Sequence, residues 1–194
     1  MQEPRDADLI RGSVEDPRLF EGVFERHYDS VRRYAQRRVG AAVGEELTAR
    51  TFLVAFERRS TFREDADSAR AWLLGIATNL IRHHVRDEQT HLRILAALPP
   101  GRRERAPDDE GRLEALDVWP TIAEILRALP PGDRDAFLLA ALQELSYGEI
   151  AAALDIPVGT VRSRIHRVRS ALRERLREVG AITDDDERGG TRRG

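Results

Sequence analysis

Seven arginines fall between Val158 and Glu178, at positions 162, 164, 167, 169, 173, 175 and 177, against two acids, Glu174 and Glu178. On a wheel of about 100° per residue, Val161, Ile165, Val168, Leu172 and Leu176 make one narrow apolar stripe. Gly159, Ser163, His166, Arg167 and Ser170 lie opposite, with Arg162, Arg164 and Arg169 on the flanks. A guanidinium fork matches O6 and N7 of guanine, flanking arginines neutralise phosphates, and a major groove admits one helix. The chemistry on offer is therefore recognition of a duplex. A charge run by itself describes a solvated helix face equally well, so the reading depends on what holds the helix in place.

The preceding residues supply that. Ser146-Tyr147-Gly148-Glu149 is a capping box, in which Ser146 accepts from the Glu149 amide and Glu149 reaches back. Ile150, Ala151 and Leu154 face inward, and Asp155-Ile156-Pro157 makes a short turn, because Pro157 cannot continue one helix but can open the next. Two helices joined by so few residues form a helix-turn-helix. Upstream, Ile122, Ile125, Leu126 and Leu129 form a stripe broken by Pro130-Pro131-Gly132, and Asp133 to Leu145 is a further helix.

The N-terminal half carries a second helical block. Asp16 caps a helix with Pro17 in its first turn, Phe20, Val23, Phe24, Val31, Tyr34 and Ala35 recur at helical spacing, and Gly40 ends it. A second helix is expected from about Val43 to Arg59, with Leu47, Phe52, Ala55 and Phe56 inward. A third opens near Ser68 on the stripe Trp72, Leu73, Ile76, Ala77, Leu80 and Ile81; the pattern fails after Asp87. The spacing predicts an all-α chain of two small helical domains joined by a flexible linker, the C-terminal one a helix-turn-helix. The expected divisions are a flexible arm over 1–15, a domain over 16–90, a linker over 91–115, a second domain over 116–178 and a disordered tail over 179–194.

Composition narrows the function classes. The chain has 194 residues, 32 basic against 34 acidic side chains, a net charge of −2 and no cysteine. Every basic residue is Arg, and the positive charge that the whole lacks is concentrated in the last helix. Without cysteine there is no disulfide framework, thiol nucleophile or cysteine zinc site. His83, His84 and His91 have poor ligand spacing. No P-loop, G-x-S-x-G or glycine-rich phosphate cradle is present, so neither an enzyme nor a cofactor is expected. No apolar run is long enough to span a bilayer and no leader is evident, which predicts a cytoplasmic protein.

The string LSYGEIAAALDIPVGTVRSRIHRVRSALRERL resembles the C-terminal domain of extracytoplasmic-function (ECF) sigma factors, compact sigma-70-type subunits of bacterial RNA polymerase, and ALPPGDRDAFLLAALQ resembles that domain's leading helices. Independently, LTARTFLVAF (47–56) resembles the helix that grips the polymerase β′ clamp. Phe62 with AWLLGIATN (71–79) resembles the helix that meets the −10 promoter element. The resemblance implies that 16–90 is sigma region 2 and 116–178 sigma region 4. It implies −35 contacts from Thr160, Arg162, Ser163, Arg164, His166 and Arg167, −10 contacts from Asn79, Arg82, His83 and Arg86, and core-polymerase contacts from Glu46, Leu47 and Phe52. It further implies core RNA polymerase (β′ clamp and β flap), promoter DNA and an anti-sigma factor as partners. Trp72, placed in the apolar stripe, is a core anchor and not a base stacker. The family often has Gln and then an acid three and four residues after the position of Glu46, where this chain has Ala49 and Arg50. The rival reading is a stand-alone helix-turn-helix regulator, which would bind two half-sites as a dimer; this chain has one such motif and no evident dimer helix.

Overall fold

The structure is a computed structural model that describes residues 4–62, 69–97 and 119–178. Eight α-helices and two 3₁₀ turns make up the ordered elements there, and no strand occurs among the described residues. They are α1 (Asp6–Gly12), α2 (Phe20–Val39), α3 (Ala41–Glu57), α4 (Arg70–Ala97), α5 (Trp119–Ala128), α6 (Pro131–Gln143), α7 (Tyr147–Leu154) and α8 (Val158–Glu178). None is long and apolar enough to cross a membrane.

Local chemistry sets most of the boundaries. Asp16 accepts from the Arg18 amide at 3.1 Å and caps a 3₁₀ turn at Pro17–Leu19 that runs into α2. Gly40, with φ of 83°, sits in the left-handed region that only glycine enters without strain, which lets α3 double back on α2. α2, α3 and α4 then pack around Val23, Val31, Tyr34, Leu47, Phe52, Leu73, Leu74 and Ile81, all buried. Edge-to-face rings add to this core, Phe20 on Phe56 at 5.4 Å and Phe24 on Phe52 at 4.8 Å. Trp72 is half-buried with its ring edge-to-face on Phe62 at 5.1 Å, in keeping with an anchoring role.

Two sequence expectations change. Within the arm expected over 1–15, residues 6–12 form α1, with Ala7, Leu9 and Ile10 buried. So short a helix is not stable alone; tertiary contacts hold it. Asp6 is buried, accepts from the Ala69 amide at 2.8 Å, and pairs with His27 Nε2 at 2.7 Å and with Arg26. One carboxylate thus ties α1 to α2 and to the start of α4. Secondly, α4 continues ten residues past Asp87. The stretch EQTHLRILAA contains neither proline nor glycine, so nothing in it stops the helix before Ala97. The expected linker over 91–115 is therefore helical backbone to 97 and otherwise lies outside the described residues, as does the tail over 179–194.

The two halves also meet: α6 and α7 rest on α2 and α4, and Ala136, Leu139, Leu145 and Ile150 join the same buried cluster as Tyr34, Leu74 and Ala77.

Candidate nucleic-acid and polymerase interfaces

The helix-turn-helix forms as its sequence dictates. Ser146 Oγ accepts from the Glu149 amide at 3.2 Å, and Glu149 accepts from the Ser146 amide at 2.8 Å. Asp155 ends α7 in the left-handed region with φ of 52°, the Ile156 amide donates back to Ala151 at 3.1 Å, and Pro157 precedes α8. Val161, Ile165 and Val168 are fully buried and Leu172 and Leu176 half-buried, so the stripe read from the sequence is the face that packs.

On the other side of α8, Arg162, Ser163 and His166 are exposed, and Thr160, half-buried, accepts from Ser163 Oγ at 3.0 Å. These four share one accessible face at the helix start. Arg164 does not join them. It is half-buried, its Nη1 donates to the Gly132 carbonyl at 3.5 Å, and its Nε lies 3.7 Å from Asp133, so it leans on α6. Arg167 is exposed but engaged, donating from Nε and Nη2 to the two Asp133 oxygens at 2.9 Å each. That hydrogen bond and the Asp133 charge push the Arg167 pKa up.

Asn79, His83 and Arg86 lie exposed along α4 and can face a strand together. Arg82, one turn from Asn79, is largely committed elsewhere. Its Nε donates to Asp135 at 2.5 Å and its Nη1 to Asn79 Oδ1 at 3.5 Å. Asp135 is fully buried and also accepts from Arg38 Nη2 at 2.6 Å, while Arg38 Nη1 donates to the Tyr34 hydroxyl at 2.7 Å. Burial pushes the Arg38 pKa down, but Tyr34 and Asp135 more than offset it and hold it above its ordinary value.

The expected polymerase-contact residues separate by face. Glu46 is exposed, whereas Leu47 and Phe52 are 3% and 5% exposed and belong to the core between α2 and α3. The open face of α3 is Glu46, Ala49, Arg50, Leu53 and Glu57. Leu53, 57% exposed, is a large apolar side chain that the fold leaves in water, and Phe24 of α2 is 40% exposed. Leu53 was legible: it stands seven residues from Glu46, two turns along the same face. Asp133 and Asp135 were not, because nothing in the string says which arginines they meet.

Comparison with known proteins assigns both halves. The family model "Sigma-70 region 2" matches residues 23–91, and "Sigma-70, region 4" matches 121–172. The chain is 29% identical over 181 residues to the ECF RNA polymerase sigma factor BldN of Streptomyces coelicolor, covering 92% of this chain and 65% of that protein. It is 36% identical over 170 residues to SigE of Mycolicibacterium smegmatis, covering 81% of this chain and 62% of that protein. To SigL of Mycobacterium tuberculosis it is 32% identical over 163 residues, covering 84% and 91%. The chain thus spans less than two thirds of the length of the first two relatives and nearly all of the third. In fold it is similar to CnrH, solved with the cytosolic domain of CnrY, with a TM-score of 0.63 at 24% identity over 89% of this chain and 97% of that one. It is also similar to RpoE, solved with the anti-sigma factor NepR from Bartonella quintana, with a TM-score of 0.59 at 23% identity over 81% and 96%. A stand-alone helix-turn-helix regulator leaves the region 2 match over 23–91 without explanation.

Proposed function

Because the chain belongs to the ECF group of the sigma-70 family, we propose that it binds core RNA polymerase and directs it to promoters. In this reading α4 meets the −10 element and α8 the −35 element. The observation that carries it is the pairing of two independent faces on one chain. Asn79, His83 and Arg86 lie open on a region 2 helix, and Arg162, Ser163 and His166 lie open on a region 4 helix.

Each face has a distinct task. The −35 helix enters a major groove, where exposed arginines contact base edges and phosphates. The −10 face meets strand that the polymerase has opened. Few aromatics are exposed there for base stacking, so capture of a flipped base beside Asn79 fits better, with His83 and Arg86 along the phosphates. The open face of α3, with Leu53 and Glu46, is the contact for the β′ clamp, and region 4 is the contact for the β flap. The protein acts by binding and makes or breaks no covalent bond. It works in the cytoplasm with the polymerase, and an anti-sigma factor is its expected regulator.

Transcription with purified core polymerase tests this. Core plus the chain should initiate from defined promoters that core alone ignores. Tight binding to a palindrome without core, and no start-site choice with it, would replace this reading with the stand-alone regulator.

A further inference from the structure

The start of α6 stands beside the outer face of α8. Asp133 lies in the first turn of α6, where the helix dipole favours an anion. It is buried, and Ala136 and Leu139 of α6 share one apolar cluster with Val161 and Ile165 of α8. The carboxylate is therefore a fixed point for α8. Arg164 keeps a positive charge near it, with Nε 3.7 Å away. Arg167 reaches the same carboxylate from the next turn, Nε and Nη2 donating at 2.9 Å each.

Which edge of the guanidinium is bound decides what is left over. The group is a rigid plane of N–H donors with two forks. The side fork is Nε–H with one Nη2 hydrogen, and the end fork is Nη1 with the other Nη2 hydrogen. Asp133 takes the side fork, so the end fork is directed away from it. Nη1 has no partner among the described residues, and the Arg167 side chain is 59% exposed. Ser163, one turn earlier on the same face, is exposed too. An end fork can span O6 and N7 of guanine in a bidentate pair. An unsupported arginine would surrender rotamer freedom to make that pair; one already held loses less.

We propose, resting on the sigma-factor reading, that Asp133 is a positioning residue for −35 recognition. It holds Arg167 by the side fork so that the end fork reads one guanine. Asp133 touches no base itself. Arg167 keeps its ion pair while it reads, so the buried acid is not orphaned when DNA binds. An acid close to phosphates weakens binding to any duplex; what Asp133 contributes is choice among duplexes.

Holoenzyme assembled from core polymerase and the full chain tests this on promoter duplexes in which each −35 base pair is replaced in turn. The parent should show one G·C position whose replacement weakens binding about tenfold. Arg167→Ala should make that position indifferent. Asp133→Asn, equal in size but neutral, should shrink the same ratio to about twofold. Its binding to the replaced duplex should hold or rise, because a negative charge near the phosphates is gone. Adding Asp133→Asn to Arg167→Ala should change the ratio no further. Each ratio compares one holoenzyme on two duplexes, so any unfolded fraction cancels. A purely structural Asp133 would weaken both duplexes equally and leave the ratio at its parent value; that result overturns the proposal. So does a parent-like ratio at every −35 position with Arg167→Ala. A parent holoenzyme no more selective than core alone would refute the sigma-factor reading instead, before any variant is compared.

Discussion

Arg167 grips Asp133 through two parallel hydrogen bonds of 2.9 Å each, so an arginine that the sequence places on the outer face of α8 is also a strut between α8 and α6. Asp133 stands in the first turn of α6, where the helix dipole favours an anion, and it also draws in Arg164. It is 6% exposed, while the Arg167 side chain is 59% exposed. Removing the acid therefore leaves a buried gap, whereas removing the arginine leaves an acid still near Arg164. Asp133→Ala should lower the stability of the C-terminal module by about 1–3 kcal/mol, and Arg167→Ala by less, both read from thermal melting. If Arg167 also reads the promoter, Arg167→Ala should weaken −35 protection by about 1–3 kcal/mol. Footprints unchanged by Arg167→Ala would confine it to the strut role.

Asp6 yields a pH prediction. Burial pushes its carboxyl up, but the hydrogen bonds from His27, the Ala69 amide and Arg26 outweigh burial and hold it well below the ordinary carboxylate range. A carboxylate whose pKa is depressed by folding stabilises the fold above its unfolded pKa of about 4 and loses that contribution as pH falls further. The parent should keep this contribution from neutrality to about pH 4 and lose it progressively below. Asp6→Asn should be less stable at neutral pH, and the difference should shrink below pH 4. A gap that stays constant from pH 7 to pH 3 would show that the charge is not the cause.

Asn79 lies exposed on α4 and accepts only a long bond from Arg82. Its truncation should leave melting within about 0.5 kcal/mol and core pull-down unchanged, while start-site selection among −10 variants relaxes. Equal loss in the pull-down would make Asn79 a contact for polymerase instead.

Leu47 and Leu53 sit six residues apart on α3, and their substitutions should separate cleanly. Leu47 is buried, so Leu47→Ala should cost about 2–5 kcal/mol of stability. Leu53 is exposed, so Leu53→Glu should leave the melting temperature close to the parent's and reduce core-polymerase binding in a pull-down. Full binding by Leu53→Glu would move the polymerase contact off this face.

Sequence periodicity and cap chemistry determined a great deal here. The stripe Val161, Ile165 and Val168, the Ser146–Glu149 box, the Pro157 break and the stop at Gly40 are all local. Each depends on residues within a turn or two of one another, and each forms as read. So does the outward set Arg162, Ser163 and His166, because a helix with one face buried leaves its opposite face free.

Tertiary structure alone decided the partners of the charges. Arg82 meets Asp135 from 53 residues away and Arg38 meets it from 97, and no period in the string brings them together. The same holds for α1, whose place depends on Asp6 reaching Ala69 across 63 residues. Leu47 and Phe52 look like interface residues in a motif but are core residues in a packed bundle. An apolar side chain is drawn equally to a partner protein and to a neighbouring helix, and only the assembled fold determines which surface covers it.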